Sequence, residues 1–163
     1  MDALTTALEF VRARLNAALQ AAEHRADDWV ILSNIVGQDD IAFANARGRI
    51  AMVLVNLAQG AGAPVGPPGG THLVPSPARV EPLIAFVANF EGQHYAQGLT
   101  AMSRTIGFFH RTPVFTPGPG ASIGSLTMQA VDLSLADVSC VMAMMGVKYL
   151  PSVFYQLRGV SVG

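Results

Sequence analysis

The last third of the chain, residues 125–162, constrains the fold most. It reads as a strand, a capped helix and a second strand in direct succession. Leu126, Met128 and Ala130 alternate with Thr127 and Gln129. A period of two marks a half-buried strand, expected here from Leu126 to Leu133. Ser134 stands three residues before Asp137, the spacing at which two side chains close the first turn of a helix. That helix is expected from Leu135 to Met145, with Gly146 as its left-handed stop. Pro151 has no N–H to give to a ladder, so it belongs to the turn that begins at Lys148. Val153 to Val160 reads as the final strand.

Upstream, Leu4, Leu8, Val11, Leu15, Leu19 and Ala22 recur at spacings of three and four, which predicts an amphipathic helix from Asp2 to His24. Residues 29–36 read as a strand, and Gly37 to Asp40 as a turn. Arg49 to Leu57 is a second strand, apolar on both faces at Met52–Val55 and therefore expected inside the sheet. Leu83 to Phe90 is a third, with Pro82 at its entry. A helix follows Gly92, and Tyr95, Leu99, Met102, Ile106 and Phe109 form its expected apolar stripe. Pro113 limits it. Helices and strands in this order predict an α+β fold, with two or three helices packed on a single mixed β-sheet.

Between Gly60 and Pro77 glycine and proline dominate. A connection this long without its own structure is uncommon inside a compact domain. Neither flank has enough apolar sequence to form a core alone, so residues 1–163 are read as one domain with a flexible loop at 60–77. Ordering that loop costs about 1–2 kcal/mol per residue, and its side chains offer little in return.

Only 13% of the 163 residues are charged and 51% are hydrophobic, and mean hydropathy is +0.39. That charge content is about half the usual share. Apolar surface in excess of what a core needs points to burial against other subunits. The net charge of −1 leaves no basic footprint, so nucleic acid is not an expected partner. No apolar run is long enough to span a bilayer, so membrane insertion is not expected. Cys140 is the lone cysteine, which suits a reducing cytosol.

The residues carry no reaction chemistry. His24, His72, His94 and His110 have no partners at metal-ligand spacing. Cys140 lies among Val138, Val141 and Met144 and is expected to be buried and inert. Gly120–Gly124 resembles a nucleophile elbow only in passing, because it precedes a strand instead of following one. Asp27–Asp28 and Asp39–Asp40 are adjacent pairs of the kind that form turns. Neither a catalytic group, a cofactor nor a metal is expected. The Met142, Met144 and Met145 cluster, on a helix apolar nearly all round, hints at a subunit contact.

Several words of the chain resemble one family. Asp132-Leu-Ser-Leu-Ala-Asp137, Lys148-Tyr-Leu-Pro-Ser-Val153 and Thr112-Pro-Val-Phe-Thr-Pro117 are similar to the N-terminal domain of the cap, or tail-terminator, proteins of phage-tail-like contractile injection systems. Val30-Ile-Leu-Ser-Asn-Ile-Val36 and Ala51-Met-Val-Leu-Val-Asn56 extend the resemblance over nearly the whole chain, apart from Gly60–Pro77. It implies a tail-terminator-like fold and a structural protein, not an enzyme. It further implies a cap that ends the inner tube and contacts the sheath, acting as a homohexameric ring. Its partners would be itself, the tube protein and the sheath protein. Assembly would be cytoplasmic, within a phage-tail-like particle that can be released. The contacts are then expected at Pro113, Phe115 and Pro117, on the helix at Val141, Met144 and Met145, at Tyr149 and Pro151 in the turn, and at Tyr155 and Arg158 on the last strand. The alternative is a small-molecule binding module or enzyme with a pocket covered by the 60–77 loop. A ring separates the first reading from a ligand-stabilised monomer.

Overall fold

Asp2 opens the first helix, α1 (Ala3–Glu23), by accepting a 2.9 Å hydrogen bond from the Thr5 N–H. The helix ends where His24 turns left-handed at φ 52°. This computed structural model describes residues 2–24, 26–60 and 77–162. The expected Gly60–Pro77 loop therefore falls outside the described residues at all but its ends. Of the expected stripe, Leu8, Val11, Leu15 and Leu19 are buried, Leu4 is half-buried and Ala22 is exposed, while Ala7 joins the buried side. Asn16 interrupts that stripe for a reason. Its Oδ1 accepts from the backbone N–H groups of Trp29 (2.8 Å) and Val30 (3.1 Å), and its Nδ2 donates to Asp28 (2.8 Å). One buried amide thus clamps the helix to the first strand.

The strands are β1 (Val30–Leu32), β2 (Arg49–Gln59), β3 (Ala78–Asn89), β4 (Val114–Phe115), β5 (Leu126–Val131), β6 (Ser152–Arg158) and β7 (Val160–Val162). They form one mixed sheet in the order β1-β2-β3-β6-β5-β4, with β7 pairing β3 beyond the end of β6. Only β1 and β2 are parallel. With α2 (Tyr95–Arg111) and α3 (Leu135–Met144), the fold is α+β. Alternation along β3 divides the core in two. Ile84, Phe86 and Ala88 face α1 and α2, beside Met52, Tyr155, Leu157 and Phe109. Ala85 and Val87 face the other way, with Ala51, Val53, Phe154 and Val141 of α3. On the first face Phe109 bridges Tyr155 (4.7 Å between centroids) and Phe86 (5.1 Å).

The structure corrects several boundaries. The strand expected over 29–36 is only Val30–Leu32, and Val36 makes an isolated bridge to Ala42 instead. There the Gly37 N–H donates to Ile41 and the Phe43 N–H to Ile35, so local turns take over. Pro82 lies within β3, not at its entry. The ladder on its β6 side stops at Leu83 and resumes with β7 at Val80, so no N–H is needed at Pro82. The final strand breaks at Gly159, whose φ of 96° divides β6 from β7. The two-residue β4 is new, and β5 ends at Val131, short of Leu133.

The buried side of α2 is also rotated from expectation. Gly98, Ala101, Met102, Thr105 and Phe109 face the core, while Tyr95, Leu99 and Ile106 are exposed. Gly98 explains the rotation. A Cβ there would lie 2.9 Å from atoms of Phe90, so the missing side chain lets this face of α2 approach the core. Among the described residues, the outer half of β2 has no partner strand beyond Met52 on the β1 side. It carries a bulge between Leu54 and Asn56, and the Asn56 Oδ1 accepts from the Leu57 N–H at 2.8 Å. Both features discourage an open edge from pairing at random.

Candidate functional site

The helix α3 begins as its sequence dictates. The Ser134 Oγ accepts from the Asp137 N–H (3.1 Å) and donates to the Asp137 carboxylate (2.6 Å). At its far end Gly146 adopts φ 69°, and the Val147 N–H closes on Met142 O at 3.1 Å. Asp137 is the only charged residue of its ten. Such a helix would ordinarily lie inside a core. Here only Val141 and Met142 are buried. Leu135 is 81% exposed, Met144 74%, and Tyr149 in the following turn 66%. The cause is topological: α3 meets its sheet face alone, whereas α1 and α2 share the other, so its outward side has nothing to pack on. Leu135, Val138, Ser139, Met142 and Tyr149 there line an open groove of about 580 Å³. A second groove of about 420 Å³ runs between the end of α3 and the segment 34–40.

The ten residues expected at contacts separate into two groups. Pro113, Met144, Tyr149 and Arg158 are exposed, and Pro117 and Met145 are half-buried. Phe115, Val141, Pro151 and Tyr155 belong to the chain's own interior. Phe115 packs on Phe10, Phe108 and Phe109 at centroid distances of 5.9–6.5 Å. Pro151 leads the chain into β6, and its carbonyl accepts from the Ala88 N–H at 2.8 Å. Arg158 faces Glu81 at 4.0 Å. Cys140 is exposed, against the expectation that it is buried, because Val138, Val141 and Met145 are the residues by which α3 and its cap meet the sheet. Outside that expected set, Leu135 of the apolar α3 is exposed, as are Tyr95 and Leu99, which the α2 stripe had assigned to the core.

Among the described residues, no three of His, Cys, Asp or Glu are close enough to hold an ion. His24, His94 and His110 are exposed, and His72 lies outside the described residues. Asp39 acts as a turn former: its Oδ1 accepts from the Ile41 N–H at 3.2 Å. Two groups are shifted. Hydrogen bonds from the Thr5 backbone N–H and hydroxyl hold the Asp2 carboxyl below its ordinary value. Burial pushes the Tyr155 hydroxyl up. The first is a helix cap and the second a core residue, and they do not face each other as an acid–base pair would. The described residues that stand out are the exposed apolar side chains Leu135, Met144 and Tyr149. No described helix is long and apolar enough to cross a membrane.

The fold has a counterpart among known structures. The sheath/tube terminator of the PVC extracellular contractile injection system, solved by cryo-EM in its extended state, matches over 91% of this chain with a TM-score of 0.59 and 14% identity. The fold is thus that of a terminator from a contractile injection system. Residues 6–163 match the Pvc16 N-terminal domain, and the chain belongs to that family. It spans 56% of the length of the matched structure. No curated protein sequence matches the chain.

Proposed function

We propose that this chain is a structural cap that ends the inner tube of a contractile injection system. On this reading it forms a homo-oligomeric ring of six copies, meets the tube protein on one side and contacts the sheath. It assembles in the cytoplasm and leaves with the particle. The observation that carries the reading is the exposed apolar face of α3 in a chain of the Pvc16 N-terminal domain family. A tube grows by adding identical rings head to tail, so its exposed end stays a site for the next ring. A terminator must match that end on one face and offer nothing equivalent on the other. Copies joined through two different patches repeat head to tail and close into a ring where the rotation allows, each patch being used once per copy.

The test compares particles made with and without this protein. Tubes of defined length become long and irregular in its absence, and electron microscopy shows the loss of the end ring. Unchanged tube lengths and an unchanged end structure refute the reading. The competing reading, a pocket closed by residues 60–77, depends on a segment outside the described residues. A small molecule that raises the melting temperature of a monomer supports it instead.

A further inference from the structure

A pocket of about 260 Å³ opens where three distant parts of the chain meet: the segment 35–47, the end of β3 and the turn that follows α3. Its lining joins apolar side chains, Val36 and Leu150 among them, to the polar Arg47, Asn89, Glu91 and Lys148. Asn89 is only 7% exposed. Its Nδ2 donates to the Ala46 carbonyl at 3.0 Å, which fixes the amide plane, while its Oδ1 accepts from no group among the described residues. An acceptor this deep that no protein donor satisfies calls for one from outside. Arg47, Glu91 and Lys148 are exposed, and none of them takes part in an ion pair among the described residues. Two cations against one carboxylate leave the pocket with one positive charge in excess.

We propose that this pocket takes the C-terminal residue of another protein chain, one with an apolar side chain and a free carboxylate. Such a residue carries three groups side by side: a carboxylate for Arg47 and Lys148, a backbone N–H for the Asn89 Oδ1, and a side chain for Val36 and Leu150. Other ligands match fewer of these. A phosphate has no apolar body and no N–H for Asn89, and its second charge would meet Glu91. An ammonium ligand would meet two cations. An acidic side chain inside a chain has no apolar group beside its carboxylate. The size agrees, because pockets for drug-sized ligands run from about 300 to 1,000 Å³, and a smaller one suits a single residue. The proposal does not depend on the ring reading.

The experiment titrates the full chain, labelled with nitrogen-15, with the dipeptide N-acetyl-glycyl-leucine as its free acid and, separately, as its C-terminal amide. The free acid should shift the backbone resonances of Val36, Arg47 and Lys148 in a saturable way, and the amide should bind several-fold more weakly. Arg47→Met and Lys148→Met each remove one charge at an exposed position, and circular dichroism checks that the fold is kept. Each should weaken binding of the free acid several-fold and leave the amide unchanged, whereas Glu91→Gln should strengthen the free acid. Equal binding of acid and amide overturns the carboxylate recognition. No saturable shift, or shifts confined to residues elsewhere, overturns the site. Binding that survives both cation substitutions in folded protein also overturns it. N-acetylglycine has the carboxylate and the N–H but no side chain, and should bind several-fold more weakly than the dipeptide. Equal binding would mean that the pocket takes any small carboxylate, and would overturn the apolar chain end as its occupant.

Discussion

Gly159→Ala tests the sharpest geometric demand in the fold. At Gly159 the last strand divides, and the backbone adopts φ 96°, a region that L side chains rarely occupy. A Cβ at this position would lie 2.2 Å from the Ser125 carbonyl oxygen and 3.3 Å from its carbon. The obstacle is backbone, at the start of β5, so it cannot rotate away as a side chain would. Strained φ costs about 1–3 kcal/mol, and forcing an extra carbon into packed structure about 1–3 kcal/mol more. Reduced entropy of the unfolded chain returns roughly 0.4–1 kcal/mol. The expected net loss is near 3 kcal/mol. With a urea m-value of about 2 kcal/mol/M, the unfolding midpoint falls by about 1.5 M. Trp29, at 1% exposure, supplies the fluorescence signal. Gly146→Ala is the comparison: its φ is also positive at 69°, but the nearest atom to an added Cβ is Val36 Cγ1 at 3.7 Å. It should lose only the strain contribution. Equal losses for the two variants refute the close approach, and an unchanged midpoint for Gly159→Ala refutes the whole argument.

Asn16→Ala removes the acceptor that two buried backbone N–H groups share, and should cost about 2–4 kcal/mol by the same urea assay. Val141→Asp places a charge in the core beside Phe154 and should unfold the subunit, whereas Met144→Asp should leave the urea midpoint within about 0.5 kcal/mol and weaken assembly. Circular dichroism beside native mass spectrometry separates these outcomes, and a folded Val141→Asp subunit would show that α3 does not pack as described. The Asp2 carboxyl lies below its ordinary value of 3.8 in the folded chain. Its support of the first turn is therefore complete above that value and is lost as pH falls through the lowered one. Hydrogen exchange at the first-turn amides should rise on acidification relative to mid-helix amides, and Asp2→Asn should remove the difference.

Where apolar period and end signals coincided, the elements were legible. Ser134 and Gly146 were readable as the cap and stop of α3 before any contact was known, and the apolar spacing ran α1 from Asp2 to His24, which the structure shows as its caps. The turn at 146–151 was legible for the same reason. Elements that depend on distant partners were not. Gly159 breaks its strand because Ser125 lies beside it, a neighbour thirty-four positions away that no local pattern reports. Likewise Pro82 is tolerated inside β3 because the partner strand changes opposite it. The α2 stripe shows a different limit: counting large apolar residues favoured Tyr95, Leu99 and Ile106, but small residues set which side approaches most closely. Of the contact set, Pro113, Met144, Tyr149 and Arg158 lie on the surface, while Val141, Pro151 and the strand aromatics Phe115 and Tyr155 went to the interior. Aromatic side chains on strands suit either environment, and the packing of α2 decided between them.

On the proposed reading, the exposed side of α3 also bears on when a ring would form. Full burial of a Leu or Met side chain contributes about 1.5–3 kcal/mol. Covering Leu135 and Tyr149, which line one groove and are 81% and 66% exposed, therefore contributes on the order of 3 kcal/mol. Association costs an estimated 4–15 kcal/mol in lost translational and rotational freedom. A single pair of subunits joined through this surface is thus marginal. Ring closure changes the balance, because the last contact forms between copies already held together. A tube end changes it further by holding several copies at once, which raises their effective concentration. A terminator with weak lateral contacts would stay dispersed until a tube end gathers it, and would not accumulate empty rings. On the proposed reading, ring formation should therefore depend steeply on concentration in the protein alone and occur at much lower concentration with tube protein present. Native mass spectrometry across a dilution series, with and without the tube protein, measures both. A ring that persists unchanged to the lowest concentration would mean that lateral contacts are far stronger than the α3 surface can supply.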